Sequence, residues 1–85
     1  QEAAPAAERD ARARRRGLAM LDELTRLQAD LLAGQADPAR LQGLATLAEG
    51  DAGADPALAA AVAAIALRVR IELARRGPAA SLSQD

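Results

Sequence analysis

The larger apolar residues of this chain recur three or four positions apart, which is the spacing of one face of an α-helix. The first run comprises Met20, Leu24, Leu27 and Leu31, and Leu21 and Leu32 widen the same side. The second run comprises Leu58, Val62, Ile65, Val69 and Leu73. Both runs predict amphipathic helices, one in each half of the chain.

The composition excludes a β-sheet fold and limits the size of the core. Of the 85 residues, 51% are hydrophobic, but 25 of these are alanine and none is aromatic. Valine, isoleucine and threonine, which favour strands, total six, whereas alanine and leucine are strong helix formers. With only 18 larger apolar residues, the chain can build one small core. We expect the isolated chain to be marginally stable or to depend on a partner.

Start and stop signals divide the chain into three helices. Asp37-Pro38 and Asp55-Pro56 each place a capping aspartate before a proline suited to the first helical position. Gly34 is expected at positive φ where the first helix ends, and Gly77-Pro78 is expected to end the last. Helices are therefore predicted over residues 7–33, 38–49 and 56–76.

The predicted fold is all-α. Short connections favour antiparallel neighbours, either as a three-helix antiparallel bundle or as a helical hairpin of helices 1 and 3 with a short intervening helix. Residues 17–77 form the predicted helical domain, and residues 78–85 a disordered tail. Residues 1–16 form an arginine-rich, partly flexible arm, because Gly17 weakens the helix by about 1 kcal/mol and no large apolar residue precedes it. We expect limited proteolysis to cut this arm first.

The missing residue types argue against catalysis and against metal or cofactor binding. The chain has no Cys, His, Lys or Tyr, so the usual nucleophiles, general bases and metal ligands are lacking. We predict a protein that is not an enzyme and has no cofactor or small-molecule substrate. The longest uncharged apolar run has 11 residues, too short for a membrane helix of about 20. No signal-peptide pattern is present, so we expect a cytoplasmic location.

Arginines cluster near the N-terminus. The members of the cluster are Arg9, Arg12, Arg14, Arg15 and Arg16. A basic helical arm could follow phosphates, but no aromatic or amide side chain accompanies it to stack on bases or read them. The net charge of −1 also argues against attraction of the whole surface to nucleic acid. We interpret the cluster as a salt-bridged helical extension or a partner-docking arm, with nucleic-acid binding as the weaker alternative.

The third predicted helix has two apolar sides. Leu67 and Ile71, with Arg70 between them in sequence, lie opposite the face that carries Ile65 and Val69, at about 100° per residue. Two readings are open for this second side. Helix 2 could bury it, although helix 2 offers only three leucines, or it could be a docking surface for another protein.

Several segments together resemble one known family. They are Arg16–Leu24, Leu31–Gly34, Leu41–Leu44, Asp55–Leu58 and Ile65–Arg75. Over about residues 14–76 they resemble FliX, the class II flagellar assembly regulator of alphaproteobacteria. The closing helix, Ile-x-Leu-Arg-Val-x-Ile-Glu-Leu-Ala, is the most specific part of the match.

The resemblance implies a regulator that binds FlbD, a sigma-54-dependent transcription activator, and couples flagellar assembly to flagellar transcription. It carries over no catalytic residues and leaves open whether the partner is activated or restrained. We therefore predict a three-helix adaptor whose third helix is the main docking element. The candidate partner-binding residues are Leu67, Arg70, Ile71, Arg14 and Arg15. The rival hypotheses are a homo-oligomeric helical bundle and direct DNA binding through the arginine arm.

Overall fold

A computed structural model describes the backbone of residues 4–83 and the side chains of residues 4–76. Its elements are α1 (Ala6–Leu32), α2 (Pro38–Ala48) and α3 (Pro56–Ser83), with no strand in the described part of the chain. All three helices pack against one another. The predicted all-α, three-helix fold is confirmed, and each helix begins within one residue of its predicted start.

Both aspartate-proline signals cap helices as predicted. The Asp37 carboxylate accepts a hydrogen bond from the backbone N–H of Ala39 at 3.0 Å, with Pro38 in the first turn of α2. At the start of α3, the Asp55 carboxylate accepts from the backbone N–H of Leu58 at 2.9 Å. Each cap satisfies a backbone donor that the helix itself leaves without a partner.

The end of α3 differs from the sequence prediction. The helix runs through Gly77-Pro78 to Ser83, so it does not stop at Arg76. Proline removes only one backbone donor, and its clash with the preceding residue is reduced when that residue is a glycine without Cβ. The helix end is corrected accordingly, while the division of the chain into arm, domain and tail stays a prediction for experiment.

Helices α1 and α3 run in the same direction. The Asp10 carboxylate on α1 accepts from the backbone N–H of Asp55 at the start of α3, at 3.0 Å. Further along, a β-carbon added to Gly17 would lie 3.4 Å from Val62. The hairpin of helices 1 and 3 is therefore not formed. The 11 residues of α2 span about 16 Å, enough to return the chain toward the start of α1 before α3 begins.

The core lies along the axis of the bundle. Its buried members are Ala13, Met20, Leu24, Leu27, Leu44, Ala48, Val62, Ala66 and Val69. The predicted α3 face is confirmed, with Leu58, Ile65 and Leu73 half-buried beside this core. The predicted widening of the α1 stripe is wrong, because Leu21 is 41% and Leu32 85% exposed. Leu21 is turned about 100° away from buried Met20, and Leu32 is the last residue of the helix.

Gly34 closes α1 in the conformation that the sequence predicted. Its φ is +88°, its N–H donates to the Leu31 carbonyl at 3.0 Å, and the N–H of Gln35 donates to the Asp30 carbonyl at 2.9 Å. These bonds satisfy carbonyls at the end of the helix. Positive φ is costly for residues with a β-carbon and most costly for β-branched ones.

Gly34→Val is expected to destabilise the fold by more than about 1 kcal/mol, because valine fits poorly at positive φ. Thermal unfolding followed by circular dichroism measures the effect. Gly43→Ala is the matched control, since Gly43 lies inside α2 and an added Cβ would meet open space rather than another side chain or helix. That control should be more stable than the original chain by up to about 1 kcal/mol. A Gly34→Val variant with an unchanged melting temperature would show that α1 ends in another way.

Candidate interaction surface

The N-terminal part of α1 is held by Arg16 against the end of α2. Its guanidinium donates to the Leu47 carbonyl at 2.5 Å and to the carbonyls of Gly50 and Asp51 at 3.2 and 2.9 Å. Carbonyls at a helix end attract a cation and otherwise lack partners within the helix. The sequence analysis missed this contact, because arginines in a cluster give no sign of which one folds back on a distant loop.

Asp10 makes a second connection from α1 to the same loop. Its carboxylate accepts from the backbone N–H groups of Ala54 and Asp55 at 2.6 and 3.0 Å. Arg14 lies four residues after Asp10 on α1, but the described side chains of these two residues form no ion pair. Asp10 therefore helps to position the start of α3 and does not neutralise the charge of Arg14.

Asp51 anchors the loop between α2 and α3 to α1. It accepts from the Arg9 guanidinium at 2.6 Å and from the backbone N–H of Gly53 at 3.0 Å. These two hydrogen bonds lower the pKa of Asp51 to about 2, and the same ion pair raises the pKa of Arg9. Because the folded pKa is depressed, the contribution to stability is complete above about pH 4 and is lost as the pH falls toward 2.

Arg40 binds two carboxylates of α1. It donates hydrogen bonds to Asp30 and to Glu23, both at 2.7 Å. The bond to Asp30, and to a smaller extent the bond to Glu23, raises the pKa of Arg40. The arrangement fixes the start of α2 beside the second half of α1. It also neutralises two of the acidic groups that the sequence places on α1.

The face of α3 that points away from the other two helices is apolar and exposed. Leu67 is 56% and Ile71 46% exposed, whereas Val62 and Val69 on the opposite side are buried. We define the outer face of α3 as Ala60, Ala63, Ala64, Leu67, Ile71 and Ala74, all of which are exposed. Leu67 and Ile71 are therefore not buried beneath α2.

Arginines border the outer face of α3. Arg70 is exposed, and its guanidinium donates to the Ala48 carbonyl at the end of α2 at 3.0 Å. Arg68 is also exposed and makes no hydrogen bond or ion pair with any side chain described. Arg70 therefore joins α3 to α2 while keeping a charged side chain at the edge of the outer face.

The structure places Arg14 and Arg15 apart from the other candidate residues. Both are exposed on α1, and neither forms an ion pair within residues 4–76. Gly17 lies beside Val62, so the two arginines lie alongside the first turns of α3, and Leu67 lies further along the bundle. The five predicted residues form two groups rather than one site.

Exposed leucines on α1 were missed as surface residues. Leu18 is 62% exposed and lies three residues before Leu21, which the sequence analysis assigned to the buried stripe. The signal was available, because at about 100° per residue Leu18 falls well away from the face centred on Met20 and Leu24. Apolar exposure therefore occurs on two helices, but on α3 it forms a continuous face bordered by arginine.

Comparison with known families assigns the chain. A family model described as FliX, class II flagellar assembly regulator, matches residues 1–77. The chain belongs to the FliX family. The match extends the resemblance, which covered about residues 14–76, to the N-terminal part of α1. Searches of curated proteins and of solved structures return no significant match.

Two small crevices lie between the helices in the described part of this FliX-family chain. One crevice of about 180 Å³ lies between α1 and α3 beside Arg68 and Glu72, and another of about 290 Å³ lies between α2 and Leu73. Typical small-molecule sites have about 300–1,000 Å³. No group of three candidate metal ligands occurs within residues 4–76. None of the helices, over their described residues, has the length and apolarity needed to cross a bilayer.

Proposed function

We propose that this chain is a non-enzymatic regulator that binds a sigma-54-dependent transcription activator of the FlbD type. In this proposal it couples flagellar assembly to flagellar gene transcription and acts in the cytoplasm, where such activators work. The family description supplies the flagellar regulator, and the resemblance supplies the partner. The observation that carries the docking role is the outer face of α3, where Leu67 and Ile71 are exposed.

The outer face is suited to binding another protein. Leu67 and Ile71 are four residues apart and lie on the same side of α3, one turn above the other. Full burial of such side chains contributes roughly 1.5–3 kcal/mol each. The exposed alanines around them leave room for a partner helix to approach closely. Two large side chains surrounded by small ones therefore form the anchor for docking in this proposal.

The contacts of the N-terminal arginines favour a protein partner over DNA. Arg9 is paired with Asp51, Arg12 with Glu8 at 3.7 Å, and Arg16 bonds to backbone carbonyls. Only two members of the cluster, Arg14 and Arg15, are left for phosphates. Two phosphate contacts give only weak binding, with a shallow dependence on salt. The cluster therefore supports the folding of α1 more than it supports a nucleic-acid interface.

Leu67→Glu tests the proposal. The variant should stay folded, because the side chain is exposed, and should lose at least about tenfold in affinity for the purified FlbD-type activator. Titration calorimetry measures the affinity, and circular dichroism checks the fold. Leu18→Glu is the matched control, since it places the same charge on an equally exposed leucine of α1. This control should bind the activator as the original chain does.

The outcomes separate three failures. A folded Leu67→Glu variant with undiminished affinity would place the docking surface elsewhere. Equal losses in both variants would show that α1 contributes as much as α3. If the original chain does not bind the activator at all, the proposed partner is wrong.

A further inference from the structure

We infer that the outer face of α3 binds an amphipathic helix that carries acidic residues beside its apolar stripe, and not a second copy of this chain. The inference rests on the proposed function for the identity of the partner. Its chemistry comes from two independent observations, which are the spacing of the exposed apolar residues and the sign of the charges beside them.

The exposed apolar residues follow a coiled-coil repeat. Ala60, Ala64, Leu67, Ile71 and Ala74 are separated by four, three, four and three residues, and all are exposed. This is the spacing of the a and d positions of a heptad, with Leu67 at d and Ile71 at a. Over 15 residues the seam is about 21 Å long. A partner helix of about four turns could lie along it.

Every charged residue at the e and g positions of the described part of α3 is an arginine. In the same heptad register, Arg68 and Arg75 occupy e positions on one edge, and Arg70 occupies a g position on the other. The side chain of Arg75 is 67% exposed, and its one ion pair among the described side chains, with Glu72, is 3.5 Å long. Arg68 is unpaired among the described side chains, and Arg70 bonds to a backbone carbonyl rather than to a carboxylate.

Three acidic groups of the bundle are engaged in ion pairs away from the seam. Glu72 accepts from Arg76 at 2.9 Å, and its side chain is only 22% exposed, toward the crevice between α1 and α3. Glu23 and Asp30 are bound to Arg40. Although the whole chain has a net charge of −1, the available charge along the α3 seam is therefore positive.

These positions disfavour pairing of two copies through α3. In a parallel pair, the g residue Arg70 would face the e′ residue Arg75 of the other copy. In an antiparallel pair, e positions face e′ positions and g positions face g′ positions, so arginines again meet arginines. Carboxylates at the flanking positions of a different helix would instead form ion pairs, and would exclude wrong partners by charge.

Two designed peptides of three heptads test this assignment. Both carry leucine at a and d, one with glutamate and the other with lysine at every e and g position. The full chain should bind the glutamate peptide about tenfold more tightly at low salt, and the difference should shrink in high salt. Arg68→Glu combined with Arg75→Glu should reverse the preference. Arg12→Glu combined with Arg26→Glu makes the same charge change at two exposed arginines of α1 and should leave the preference for the glutamate peptide intact.

Equal affinity for the two peptides, or an unchanged preference in the Arg68/Arg75 variant, overturns the inference. So does a dimer of the chain in sedimentation equilibrium that disappears with Leu67→Glu, because a second copy then occupies the seam. Binding of duplex DNA that is lost in the Arg68/Arg75 variant and exceeds glutamate-peptide binding also overturns it.

If the activator fails to bind while the peptide preference holds, the proposed function fails and the seam assignment stands. If the activator binds the Arg68/Arg75 variant as tightly as the original chain, the proposed function stands and the seam assignment fails.

Discussion

Val69→Glu is expected to unfold the chain. Val69 is fully buried, and the buried residues among positions 4–76 include no polar or charged one that could pair with a carboxylate. An uncompensated buried charge costs several kcal/mol, which is a large part of the 5–15 kcal/mol that stabilises a typical domain. The far-ultraviolet circular dichroism signal at 25 °C should fall to that of a largely unfolded chain.

Two variants isolate the cause. Val69→Ala removes volume without adding charge and should cost about 2 kcal/mol, leaving a folded protein with a lower melting temperature. Leu67→Glu adds the same charge two residues away at an exposed position and should change stability by no more than about 0.5 kcal/mol. If Val69→Glu melts like Leu67→Glu, the side of α3 that carries Val69 does not form the core.

Local signals were sufficient to predict the helices. Asp37-Pro38 and Asp55-Pro56 specify helix starts through contacts within three residues, and Gly34 specifies a helix end through its own backbone conformation. Such features depend little on the rest of the fold. Gly77-Pro78 misled the prediction, because the cost of a proline in a helix depends on its neighbour and on whether the lost hydrogen bond matters there.

The arrangement of the helices could not be read from the same signals. Short connections predict antiparallel neighbours, which holds for α1 with α2 and for α2 with α3. The direction of α3 relative to α1 follows only when α2 is counted as a full member of the bundle. Periodicity correctly predicted that Leu67 and Ile71 lie opposite the core, yet it could not decide whether α2 covers them. That depends on the position of α2, which contacts distant in sequence determine.

The role of the N-terminal arginines was the least predictable feature. Arg14, Arg15 and Arg16 are consecutive, chemically identical residues, and only the last reaches the loop after α2. Successive residues on a helix point about 100° apart, so each member of a run meets a different environment. Which member meets the loop depends on how α1 is rotated against α2 and α3, and no local pattern in the sequence gives that rotation.

Arg16→Ala is expected to lower the free energy of unfolding by about 2 kcal/mol. The substitution removes the guanidinium that binds the carbonyls of Leu47, Gly50 and Asp51, and hydrogen bonds to charged groups contribute about 1.5–3 kcal/mol. The loop before α3 then loses one of its connections to α1. Urea titration followed by circular dichroism measures the loss, and limited trypsin digestion should cut α1 after Arg12 and Arg14, sites that both chains keep, faster than in the original chain.

Arg15→Ala is the matched control, because Arg15 is exposed and forms no ion pair within the described residues. It removes the same charge from the adjacent position and should change stability by no more than about 0.5 kcal/mol. Arg16→Lys should recover only part of the loss, since one ammonium group cannot reproduce the geometry of a guanidinium that reaches three carbonyls. Two results together would show that the N-terminal segment is the separable arm that the sequence predicts. Arg16→Ala and Arg15→Ala would unfold at the same urea concentration, and trypsin would remove residues 1–16 from the original chain without lowering its melting temperature. A selective loss in Arg16→Ala would instead make the first turns of α1 part of the cooperative fold that holds α3, and with it the outer face, in place.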